Sequence, residues 1–230
     1  MNTRIFKIAL VLVIALNVSC KKSEAKLSEF KYADQPDAVT CNSGYDAVIK
    51  EALYAFEKDI LTKYDQKGQN KLKAYRAYIN NSISNRINLE ATITPHSKAI
   101  YDVLKSKPEL WDGTHLNYTS PVVTCIIDNI KDKKLQQSLV SLISTNSMRS
   151  ELFTPALRSS SSYARDTYLA TFLALDLYYS KFNTVDFSKV NLSNNIGEVL
   201  PGDLDKKATN ATITPNTPAK KDDHAGHNHD

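Results

Sequence analysis

From Tyr45 to Tyr64, the apolar residues Tyr45, Val48, Ile49, Ala52, Leu53, Phe56, Ile60 and Tyr64 recur at intervals of three and four. Only a helix gathers that spacing onto one face; a strand would divide it between two. Lys50, Glu51, Glu57, Lys58 and Asp59 fill much of the rest and are read here as the solvent side. The period returns after Gly68 as Leu72, Tyr75, Ile79, Ile83 and Ile87, where interspersed Asn and Ser weaken the second half. It returns again between Tyr163 and Phe182 as Tyr168, Leu169, Phe172, Leu173, Leu175, Leu177, Tyr178 and Tyr179. That last apolar face is the widest, which predicts the most central position.

Start signals mark the shorter helices. Thr94-Pro95 and Ser120-Pro121 each place a hydroxyl at the N-cap and a proline at the first helical position. The first leads through Ile100, Val103 and Leu104 and ends before Pro108. The second leads into Val122, Val123, Ile126, Ile127 and Ile130, a β-branched run for which a strand is the alternative; the good cap and the lack of a partner strand favour helix. Leu135, Leu139, Leu142 and Ile143 make another, Glu151 to Leu157 a short one broken by Pro155, and Asp112-Gly113 a turn. The expectation is an all-α fold over residues 41–188: an irregular antiparallel bundle of five to seven helices, framed by long ones at 43–65, 69–88 and 163–183. Residues 21–40 are read as a flexible linker, and 189–230, rich in Asn, Asp, Thr, Lys, Pro and Gly, as a disordered tail. The tyrosines named above are read as core residues with hydroxyl partners rather than as a sugar-binding platform.

Residues 1–20 are of another kind. Arg4 and Lys7 precede an apolar stretch from Ile8 to Leu16, too short to span a bilayer, and Val18-Ser19-Cys20 offers a small-residue processing site. This resembles the signal peptide of a bacterial lipoprotein. The resemblance covers these twenty residues and implies cleavage before Cys20, lipid on that cysteine, and, with Lys rather than Asp at position 21, attachment to the outer membrane, facing the periplasm or the cell surface. Cys41 and Cys125 then remain as an even pair, and in an oxidising compartment a disulfide is the default, two reduced buried thiols being the alternative. Loss of Arg4 and Lys7 takes the net charge from +4 to +2. Basic residues are dispersed among acids, which argues against a nucleic-acid partner.

Chemistry concentrates at the carboxyl terminus. His224, His227 and His229, flanked by Asp223 and Asp230, can wrap one ion such as Zn, Cu or Ni, with modest affinity on an unstructured chain; a solvated tail that binds nothing is the alternative. His96 and His115 are the other acid-base candidates, with Asp112 within pairing range of His115 in sequence, but ordinary surface or capping roles are favoured. Ser159-Ser160-Ser161-Ser162 reads as a mobile loop rather than as a catalytic serine, and Glu151, Asp166 and Asp176 are isolated in sequence. Glu57 and Asp59, two apart on one helix, do not share a face. No catalytic residue is assigned. The functional expectation is a lipid-anchored envelope binding or interaction protein, non-enzymatic, whose tail takes up divalent metal. A structural partner of an outer-membrane complex, and a hydrolase of envelope polymers or peptides, are the alternatives.

Overall fold

A computed structural model describes residues 25–193, apart from the side chains of Ser150 and Glu151. The chain is all-α, an irregular bundle of seven α-helices among the described residues: α1 (Asp46–Tyr64), α2 (Lys71–Ile83), α3 (Pro95–Lys105), α4 (Pro121–Asp128), α5 (Lys133–Ser144), α6 (Ser150–Arg158) and α7 (Thr167–Leu173). The one sheet described is a two-residue hairpin, β1 (Trp111–Asp112) against β2 (His115–Leu116), antiparallel, pairing Trp111 with Leu116 and Asp112 with His115. Its turn contains Gly113 at φ +61°, a conformation that a residue without Cβ adopts at little cost.

Both proline-led starts form as the sequence predicts. Thr94 Oγ1 accepts from the Ser97 N–H while Ser97 Oγ takes up the Thr94 N–H, a reciprocal capping box. Ser120 Oγ accepts from the Val123 N–H, and the β-branched run behind it is helical. Elsewhere aspartates cap: Asp132 begins α5 and Asp166 begins α7. Asp166 also accepts from the N–H groups of Lys131 and Asp132 at 2.7 and 3.3 Å, tying the starts of these two helices together. Between α1 and α2, Asp65 accepts from the Asn70 N–H and from Lys73 Nζ, contacts that hold its carboxyl below the usual range. A Cβ on Gly68 would lie 2.6 Å from that carboxylate, so the turn has room only for glycine unless Asp65 moves.

α1 packs on α2, α3 and α7; α2 also meets α6, and α4 lies against α7. Every residue from Leu169 to Ser180 is buried, so the last helical segment is as central as its wide apolar face predicts. It is not one long helix. A 3-10 turn at Ser162–Ala164 precedes α7, and α7 passes into a π-helical turn at Ala174–Tyr178 and a 3-10 segment at Tyr179–Thr184. The second expected long helix stops at Ile83, five residues before the predicted end at 88, and Asn85 turns the chain at φ +51°. α6 carries Pro155 inside it without breaking.

The solvent face assigned to α1 is the largest correction. Glu51, Glu57 and Asp59 are 0, 7 and 5% exposed, because neighbours approach this helix from nearly all sides and each acid meets a donor. Residues 25–40 carry neither helix nor strand, yet the end of this stretch is packed, with Ala38 and Val39 in the core. Within the expected tail, Val190 is buried and Leu192 lies against the core; residues beyond 193 lie outside the described ones. Among the described residues no helix is long and apolar enough to cross a membrane.

Candidate functional site

The polar heart of the fold lies where α1, α3 and the last helical segment meet. Glu51 on α1 accepts His96 Nε2 at 2.6 Å and the N–H groups of Lys31 and Tyr32 at 2.7 and 3.0 Å. Three donors converge on one buried carboxyl group, which compensates it for the water it has lost. His96 reaches it because the capping box at Thr94 sets the first turn of α3 directly against α1. The Nε2 contact with Glu51 orients the His96 ring, which lies 6.1 Å from that of Tyr32.

Two turns further along α1, Asp59 accepts from the Tyr178 hydroxyl at 2.7 Å, and that hydroxyl also lies 3.4 Å from Ser97 Oγ. Burial raises the Asp59 carboxyl to about 7, against the opposing pull of its hydrogen bonds from Tyr178, Ser97 and Thr94. Glu57 turns the other way, to the Tyr75 hydroxyl at 3.0 Å and Lys71 Nζ at 2.7 Å, so the two acids share no face, as their spacing predicts. Burial pushes the phenols of Tyr75, Tyr78, Tyr178 and Tyr179 well above the usual range, so each stays a donor. Tyr78 gives its proton to the Leu177 carbonyl and Tyr179 to that of Ala52. These four tyrosines are therefore core residues with hydroxyl partners, whereas Tyr45, Tyr64 and Tyr168, expected in the core, are half-buried.

A second polar cluster sits at the π-helical turn. There Asp176, 6% exposed, accepts from the Tyr118 hydroxyl at 2.6 Å, and burial raises its carboxyl while Tyr118, Lys181 and His115 pull it down. His115, exposed on β2, stands opposite Asp112 in the hairpin ladder, and no side-chain hydrogen bond joins the two. The serine-rich loop is pinned: Ser160 and Ser162 donate to Asp132 Oδ2 at 3.1 and 2.7 Å. Ser97, the hydroxyl nearest His96 in sequence, is fully buried and donates to the Thr94 carbonyl. These clusters hold protons and fasten chain segments; Ser97 is buried, and the half-buried Ser160 and Ser162 both give their hydroxyl protons to Asp132.

Of the residues singled out in the sequence, Cys41 and Cys125 meet in a disulfide with Cα atoms 5.9 Å apart. It joins the segment before α1 to α4. His96 finds an acid, but a different one from any sequence candidate. Cys20 and the tail ligands His224, His227, His229, Asp223 and Asp230 lie outside the described residues, as does the Glu151 side chain. Among the described residues no three His, Cys, Asp or Glu side chains gather as a metal site. Glu51 and Asp59 did leave a trace in the sequence: with Ala55 between them they recur every four residues beside the apolar stripe. No protein-family model, curated protein or solved structure matches the chain.

Proposed function

We propose that the chain is an exported, lipid-anchored helical module of the bacterial outer membrane that acts by binding rather than by catalysis, with a carboxyl-terminal tail that takes up divalent metal. The Cys41–Cys125 disulfide is the observation that carries this reading, because cross-links of this kind persist outside the reducing cytosol. The signal-like residues 1–20 supply the address and Cys20 the attachment point. A binding role is supported by an interior in which Glu51, Glu57 and Asp59 are each engaged by donors and Ser97 is buried.

The test is mass spectrometry of the amino terminus together with detergent-phase partitioning. A fatty-acylated Cys20 as first residue, and loss of partitioning in Cys20→Ala, are expected; an unmodified Met1 in a soluble cytoplasmic fraction overturns the reading. For the tail, calorimetry with Zn, Cu and Ni is expected to show binding by the full chain that vanishes on truncation before Asp222. The alternative role as a structural partner in an outer-membrane assembly is favoured by Val140 on α5 and Leu152 on α6, large apolar side chains 44 and 55% exposed on helices that pack together. If that role holds, Val140→Asp with Leu152→Asp abolishes recovery of a membrane partner that chelator leaves in place.

A further inference from the structure

The segment before Cys41 is fastened in two different ways. From residue 28 to 37 only Tyr32 is even half-buried, and the backbone is held by polar groups of α1. Glu51 accepts from the Lys31 and Tyr32 N–H groups, Lys50 Nζ donates to the carbonyls of Ala33 and Gln35 at 2.8 and 3.0 Å, and the Tyr54 hydroxyl donates to the Pro36 carbonyl at 3.0 Å. Leu27 and Tyr32 add the apolar contacts. Immediately afterwards the fastening changes character: Ala38 and Val39 are 1 and 3% exposed, Thr40 bonds the Tyr168 hydroxyl on α7, and Cys41 is covalently joined to Cys125.

Segments with little buried apolar surface and hydrogen bonds close to solvent open at a lower free energy than the core does. Here such a segment ends at a packed and cross-linked stop, and the side chains that hold it belong to elements that keep their own support when it leaves. Glu51 retains His96, and Lys50 and Tyr54 remain on α1.

We propose that residues 25–37 are a releasable strap, latched by Glu51 and stopped at Ala38 to Cys41, which gives the domain two reaches from its point of attachment. The reach rests on the lipid-anchor reading; the latch does not. Release frees residues 25–37, thirteen residues that extend to at most about 45 Å, and the reach grows by up to that length. The domain then works either close to the bilayer or at a distance from it.

Hydrogen exchange on the full chain, at urea concentrations below the global transition, tests the latch. The Lys31 and Tyr32 amides are expected to exchange with less protection, and with a weaker urea dependence, than those of Phe56 and Ile60 in α1. Glu51→Gln is expected to lower protection at Lys31 and Tyr32 by about tenfold while Phe56 and Ile60 hold. Lys50→Met, which leaves the buried carboxylate in place, is expected to loosen the same two amides. The proposal is overturned if all four amides share one protection and one urea slope, or if both variants shift all four alike. The reach is read by energy transfer between an acylated full chain labelled at position 134 and the surface of a nanodisc. A longer separation in Glu51→Gln supports two reaches, and an unchanged one alongside loosened amides overturns them. Loosened amides in a chain that carries no lipid at Cys20 support the latch and sink the anchoring.

Discussion

Burial opposes the ionisation of Asp59. In the unfolded chain it titrates in the ordinary aspartate range, and in the native state near 7, so between these limits the folded protein keeps a proton that the unfolded chain has released. Its contribution to stability therefore declines as pH rises from about 4 to about 7 and stays at its lower value above that. Asp176, raised by burial as well, acts in the same direction. Asp59→Asn, which can still accept from the Tyr178 hydroxyl, is expected to stabilise the protein by about 2 to 4 kcal/mol at pH 8 and to flatten the decline, measured by urea unfolding at pH 5 and pH 8. Tyr178→Phe removes the donor from a buried carboxyl and is expected to cost about 1 to 3 kcal/mol, and less in the Asp59→Asn background, where the acceptor left behind is neutral. Single-residue chemistry of this sort was poorly legible in advance. Periodicity marks where side chains of one type repeat, and Glu51, Glu57 and Asp59 fall outside the apolar stripe of α1, so they read as solvent-facing; partners 14 to 119 positions away make their burial tolerable.

At the level of elements, what could be read was local. The hydroxyl-proline pairs at 94–95 and 120–121 start helices because the cap bond spans three residues and needs nothing from elsewhere. Thr94→Ala and Ser120→Ala are each expected to destabilise the fold by about 1 kcal/mol, seen as a lower urea midpoint with an unchanged slope. Helix lengths were less legible. α2 stops at Ile83 although Ile87 continues its stripe, and the segment from 162 to 184 alternates 3-10, α and π turns where the pattern suggests one helix. The wide turn shifts the register within a few residues, so that Asp176 faces Tyr118 while Tyr178 faces Asp59 and Tyr179 faces Ala52. An apolar period of three and four tolerates such turns and so does not report them.

Across the whole molecule, the disulfide closes a separation of 84 residues and removes conformations chiefly from the unfolded chain. Cys41→Ser with Cys125→Ser is expected to lose about 2 to 4 kcal/mol in denaturant unfolding, and mild reductant is expected to reproduce the loss in the unmodified protein. Fold class, the positions of most helices, the centrality of the last segment and the even pair of cysteines all follow from the sequence, because each depends on contacts within a few residues or on composition. Which acids are buried, where the strap is latched and where the long helices break were settled by the tertiary structure alone. A carboxyl group leaves water at least cost where donors converge on it, and for Glu51, Glu57 and Asp59 those donors come from the strap, α2, α3 and the last helix, which meet only once the chain has folded.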